Sequence, residues 1–165
     1  MVPVFRKILS PVAFDDNSLA ALDYAAVFAR QPGAMLYLLH VVQTDAGHIQ
    51  EELLRATKNE WLAESIAKDR LKLIALDTFG ESIPYEVLVG TGEPAQNILD
   101  TAMDIEAHLI VMATHGRSGM SHVFLGSVAE RVVREACCPV LTIRGPLLSS
   151  AIAADLHTNV ARTSG

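Results

Sequence analysis

Five short apolar runs, at 7–12, 35–42, 84–89, 108–112 and 140–143, recur along this 165-residue chain, and helix-favouring segments separate each from the next. Runs of four to eight apolar residues bounded by turn formers read as buried strands, and strands that alternate with helices are joined by crossovers into a parallel sheet. Right-handed crossovers then place helices on both faces. The expected fold class is therefore α/β, a doubly wound five-stranded parallel sheet of Rossmann-like kind, in the order β, α, β, α, β, α, β, α, β.

The run 35–42, M-L-Y-L-L-H-V-V, is almost wholly apolar, as a central strand covered on both faces must be. After the first strand, Asp15, Asp16, Asn17 and Ser18 offer helix caps, and Leu19, Leu22, Ala26 and Ala29 share a helical face that stops near Pro32-Gly33. Between Gln43 and Gly80 a loop through Gly47 and a long helix are expected, the helix carrying Leu54, Leu62, Ile66, Leu73 and Leu76 on its core side. G-T-G-E-P at 90–94 reads as a turn into a helix bearing Ala95, Ile98, Leu99 and Ala102, with Pro94 in the first turn, where a missing N–H costs nothing. A fourth helix follows Ser127. Residues 1–144 form one domain, and 145–165 a tail in which Leu148, Ile152 and Leu156 fit a short docking helix before a disordered end.

Lys and Arg number 13 against 19 Asp and Glu, a net charge of −6, which argues against nucleic acid or an anionic membrane as a partner drawn by bulk attraction. No apolar run approaches bilayer length and no signal-peptide core opens the chain, so a cytoplasmic location is expected. The two cysteines, Cys137 and Cys138, are adjacent, which suits neither a structural disulfide nor a C-x-x-C site. Both read as small buried filler.

The stretch with most chemical content is L-I-V-M-A-T-H-G-R-S-G-M-S-H-V-F-L-G-S, 109–127. It reads as strand, glycine-containing loop and helix start, and the unpaired N–H groups and positive dipole end of a helix favour an anion. Gly116 and Gly126 would let backbone approach a phosphate chain, and Ser127 would add a hydroxyl and an N–H. An ordinary loop with Ser127 as a cap is the alternative. The stretch is neither a G-K-[ST] P-loop nor G-x-G-x-x-G.

These residues resemble the signature of the universal stress protein family, whose nucleotide-binding members carry G-x2-G-x9-G-[ST]. Here Ala113 is followed after two residues by Gly116, and after nine more by Gly126 and Ser127. The similarity runs over about residues 5–144, through I-L-S-P-V at 8–12, L-H-V-V at 39–42, V-G-T-G-E-P at 89–94 and G-S-V-A-E-R-V-V-R at 126–134. It implies sheet order 3-2-1-4-5, a role in the stress response, and a homodimer joined through the last strand, Val140, Leu141, Thr142 and Ile143. It also implies ATP or AMP as ligand, with magnesium alongside ATP. The implied site has Gly116, Gly126, Ser127 and the Val128 N–H at the phosphates, Val41 meeting the adenine through its backbone, Pro11 and Val12 in the wall, and Met112 and Ala113 leading into the loop. Arg117 is placed to clamp a phosphate tail.

Two positions depart from the pattern. Ala13 stands where binding members usually have the aspartate that fixes the adenosine end, and Ala113 replaces the first glycine of the signature. Asp15 or Asp16 either compensates or caps the helix. His108, His115 and His122 are evenly spaced but fall on a strand start and loop positions, so no metal site is expected. His40 reads as a satisfied core residue. No nucleophile-and-base pair is evident, so no catalytic residue is assigned. The leading expectation is a dimeric, nucleotide-binding regulator; the alternatives are a nucleotide-independent scaffold with a degenerate pocket, and a slow ATPase.

Overall fold

The computed structural model describes residues 4–43, 53–114 and 125–144, with side chains of the long second helix described from residue 60. Nine elements follow one another: β1 (Lys7–Pro11), α1 (Asp16–Ala29), β2 (Met35–Val42), α2 (Leu53–Phe79), β3 (Tyr85–Thr91), α3 (Pro94–Asp104), β4 (Leu109–Ala113), α4 (Ser127–Glu135) and β5 (Val140–Ile143). The five strands form one sheet in the order β3-β2-β1-β4-β5, every neighbouring pair parallel. Among the described residues no helix is long and apolar enough to cross a membrane.

The chain steps outward from β1 to β3 and then returns to the other side of β1. With right-handed crossovers that reversal moves the later helices to the opposite face. Ile8, Leu36, Leu38, Leu109 and Val111 accordingly pack with Leu22 and Ala25 of α1 and Leu71 and Ala75 of α2. Leu9, Leu39, Ile110 and Met112 point the other way, onto Ile98 and Ala102 of α3 and Ala129 and Val132 of α4. Consecutive strand residues thus serve different cores, as a period of two requires. Above β1 and β4, where the strand order reverses, the C-terminal strand ends leave a crevice.

Several expectations change. β3 continues through Gly90 and Thr91, which pair with Val41 and Val42, so the turn begins two residues later than the glycines imply. Gly90 is small for a steric reason: a Cβ there would run into the side-chain amide of Asn97, which donates to the carbonyls of Thr91 (3.1 Å) and Glu93 (2.9 Å). Gly92, at φ +108, occupies backbone space that other residues rarely adopt. A Gly90→Val variant is expected to lose about 1–3 kcal/mol of stability through overpacking, measured as a lower denaturant midpoint with an unchanged slope.

The core side of α2 is also not the expected one. Leu62, Ile66, Leu73 and Leu76 are exposed, and the buried side carries Ala67, Leu71, Ala75 and Phe79, the last three in the core against the sheet. Alanine at two of those positions lets the helix axis lie close to the strands.

Cys137 is exposed rather than buried, while Cys138 packs against the α3/α4 core. Burial, with the neighbouring Cys137 thiol, pushes the Cys138 thiol up to about 11 from 9.0. Below pH 9 both folded and unfolded chains keep this proton; as pH rises toward 11 the unfolded chain releases it first, so this contribution to stability is lost over that window. Iodoacetamide at pH 8 should therefore label Cys137 well before Cys138, as peptide mapping would show.

Candidate nucleotide site

A cavity of about 580 Å³ opens at the C-terminal ends of β1, β2 and β4. That is within the roughly 300–1,000 Å³ range of small-molecule sites. Its walls come from the loop after β1, the end of β2, the start of α3, the end of β4 and the first turn of α4.

The β1–α1 loop is held by Ser18. Its hydroxyl accepts from the N–H of Ala13 (3.1 Å) and of Asp15 (3.3 Å) and donates to the Asp15 carbonyl (3.0 Å). Asp15 returns the bond through Oδ1, which accepts from the Ser18 N–H at 2.8 Å, closing a capping box at the start of α1. Asp15 is thus the helix cap, and its Oδ2 is buried with no hydrogen-bond partner among the described residues. Asp16 lies in the first turn of α1. Ala13 lines the cavity with no side-chain acceptor to offer.

Phe14 sits at φ +59, a strained conformation for a bulky residue. Its ring lies 4.1 Å from the His40 ring, centroid to centroid, and the Arg70 guanidinium caps it at 4.3 Å. Stacking and cation–π attraction offset the backbone cost. His40 Nδ1 is 2.7 Å from the Val12 carbonyl; because a carbonyl only accepts, Nδ1 carries a proton.

Alternation along β2 settles where Val41 directs its backbone. The Leu39 carbonyl accepts from Val12 N–H on the β1 side, and the Val42 carbonyl accepts from Gly92 N–H on the β3 side. Val41, two residues beyond Leu39, turns its N–H and C=O to the β1 side as well. Strand pairing with β1 ends at Pro11–Leu39, so these groups emerge over the cavity.

The opposite wall is the start of α4. Gly126 is the N-cap, with no side-chain cap hydrogen bond. The first-turn N–H groups of Ser127, Val128 and Ala129 therefore form the donor end of the helix beside the cavity. At φ −59 and ψ 153, Gly126 has a backbone open to other residues, so any need for glycine here lies in space rather than in dihedral freedom. Thr114, 6% exposed, anchors this wall: its N–H donates to the Ile143 carbonyl (2.9 Å) and its carbonyl accepts from the Gly126 N–H (2.6 Å). Behind it, Arg131 of α4 bonds Glu93 at 2.7 Å, and Glu93 caps α3 through the N–H groups of Ala95 and Gln96. The two helices that flank the cavity are thereby tied together.

Nine of the eleven residues expected at a binding site, Pro11, Val12, Ala13, Val41, Met112, Ala113, Gly126, Ser127 and Val128, line this one cavity. The other two, Gly116 and Arg117, lie outside the described residues. Phe14, Ser18 and Thr114 are additions. His108 is not in the site: its Nδ1 accepts from the Arg6 N–H (3.0 Å) at the other end of the sheet. His115 and His122 lie outside the described residues. Among the described residues no group of three or more His, Cys, Asp and Glu is placed to hold a metal ion.

Comparison with known proteins agrees with this architecture. Residues 5–144 match the universal stress protein family. Universal stress protein MJ0531 of Methanocaldococcus jannaschii is 34% identical over 152 residues, covering 87% of this chain and 84% of that protein. The solved structure of universal stress protein UspA from Lactobacillus plantarum superposes with a TM-score of 0.74 at 29% identity, over 87% of this chain and all of that one. A universal stress protein from Archaeoglobus fulgidus, solved in complex with dAMP, has a TM-score of 0.53 at 26% identity, over 86% of this chain and 99% of that one.

Proposed function

Because the chain belongs to the universal stress protein family, we propose that it binds an adenine nucleotide, ATP or AMP, in the crevice over β1 and β4 and acts in the stress response as a dimeric regulator. The observation that carries this reading is the first turn of α4, which has no side-chain cap bond at Gly126 and whose residues line a cavity of nucleotide size. Backbone donors at a positive helix end suit a phosphate. The outward-facing N–H and C=O of Val41 complement the edge of an adenine. The dAMP complex of the Archaeoglobus relative supports the ligand class.

In this reading Gly126, Ser127 and Val128 hold phosphate, with Gly116 and Arg117 completing the loop around it. Pro11, Val12 and Ala13 back the nucleoside, with Met112 and Ala113 at the floor. ATP would bring magnesium to the phosphates. The dimer forms through β5, the edge strand, whose outer side has no neighbouring strand in the described sheet. No described side chain is assigned to catalysis; binding and release are the activity.

A second reading has its own observation. Ala13 carries no carboxylate, and Asp15 is committed to its cap, so the nucleoside end is poorer in acceptors than the phosphate end is in donors. A scaffold that no longer uses nucleotide follows if that deficit is decisive. Calorimetric titration with ATP, ADP and AMP, with and without magnesium, separates the two. Saturable heat at micromolar to millimolar ligand supports binding, and none at millimolar ligand, with no rise in melting temperature, supports the scaffold. Phosphate release on incubation with magnesium and ATP would instead favour a slow ATPase.

A further inference from the structure

The outer face of α2 carries an apolar stripe that the fold does not use. Leu62, Ile66, Leu73 and Leu76 are 51%, 58%, 67% and 58% exposed. At about 100° per residue these four fall within one narrow stripe, diametrically opposite the buried Ala67, Leu71 and Ala75, of which Leu71 and Ala75 join the core against the sheet. Trp61, 68% exposed, flanks it. Four large apolar side chains in line over roughly 20 Å of helix exceed the scattered exposure of a monomer surface, and such patches mark interaction sites. Their spacing, alternating three and four residues once Asp69 is counted, is that of a helix-pairing seam.

We propose that this stripe pairs with the same stripe of a second copy of the chain, antiparallel and two-fold symmetric. Intervals of four, seven and three read almost the same in reverse, so the pattern is nearly palindromic about residue 69. Under a two-fold axis there, Leu62 meets Leu76 of the second copy, Ile66 meets its Leu73, and both contacts recur by symmetry. Asp69, the only charge within the stripe, falls at the axis. Its carboxylate lies 3.7 Å from the Lys72 ammonium of the same helix. The two-fold sets two such Asp–Lys pairs side by side with no net charge, whereas a shift by one turn sets Asp69 against Leu73. A lone polar residue in an apolar seam selects register in this way.

The contact is separate from any pairing of β5. α2 packs on β3 and β2, at the end of the sheet away from β5. Two isologous contacts at opposite ends of one subunit build a closed tetramer when their axes are perpendicular and intersect.

Cysteine pairing tests this directly. With Cys137 and Cys138 replaced by serine, Asp69→Cys is expected to give a disulfide-linked dimer on mild oxidation. Leu62→Cys alone should give none, and a mixture of Leu62→Cys with Leu76→Cys should link. The double variant Ile66→Glu/Leu73→Glu, with otherwise native sequence, should halve the mass in solution. Absence of the Asp69→Cys product together with an unchanged mass in the double variant overturns the proposal. Self-linking of Leu62→Cys overturns the antiparallel arrangement. A buried Trp61 emission that neither dilution nor the double variant alters means that another part of the same chain covers the stripe, and equally overturns it.

Discussion

An Ala13→Asp variant is expected to bind AMP and ATP roughly 10- to 100-fold more tightly than the native chain, because a hydrogen bond to a charged acceptor contributes about 1.5–3 kcal/mol. The backbone there is already fixed: the Ala13 N–H is held by the Ser18 hydroxyl at 3.1 Å, so a new carboxylate would project from a pinned loop into the cavity wall. Asp15 does not supply this acceptor now, since Oδ1 takes the Ser18 N–H and Oδ2 is buried. Titration calorimetry on both proteins measures the gain. Equal affinities would mean that the nucleoside lies away from the end of β1.

Gly126→Val should act in the opposite sense at the phosphate end, lowering ATP affinity by about 100-fold if two charge-assisted hydrogen bonds are lost. Valine accepts the dihedrals seen at Gly126, so the main effect is not strain. Its branched side chain would stand beside the first-turn N–H groups of α4 and keep a phosphate from reaching them. A valine cap is also poorer than glycine, so a stability loss of about 1 kcal/mol should accompany the change. Circular dichroism and sedimentation would show an intact fold. Unchanged ATP affinity in that folded variant would move the phosphate site elsewhere.

The sheet was legible because each strand is a short, dense apolar run bounded by turn residues, and the alternation with helices left only crossover connections. Strand order came through family resemblance rather than through composition. The buried side of α2 is not legible in its sequence because both faces carry apolar residues at three-to-four spacing, and most of the large ones, Leu62, Ile66, Leu73 and Leu76, lie on the outer face. Helical periodicity reports that a stripe exists, while packing of the helix on the sheet decides which stripe is buried, here the one with Ala67, Leu71 and Ala75. Gly90 reads as a turn residue in the sequence because its role, making room for the Asn97 amide, depends on a contact seven residues away.

The site divided in a similar way. Gly126 and Ser127 stood out by motif, and Val41 by resemblance. Ser18 had a readable signal in the D-x-x-S spacing with Asp15, a capping-box pattern. Thr114 had none, since its part is played by backbone groups that join β4, β5 and α4. Phe14 could not be anticipated either, because positive φ in a bulky residue is a product of the folded loop.

Native mass spectrometry of freshly purified protein tests nucleotide binding most directly, since it reads ligand and assembly in one spectrum. The expected result is complexes whose mass exceeds that of the bare chains by one adenine nucleotide per subunit, or that gain this mass when ATP or AMP is added. Assemblies that remain bare in millimolar ATP and AMP would contradict it.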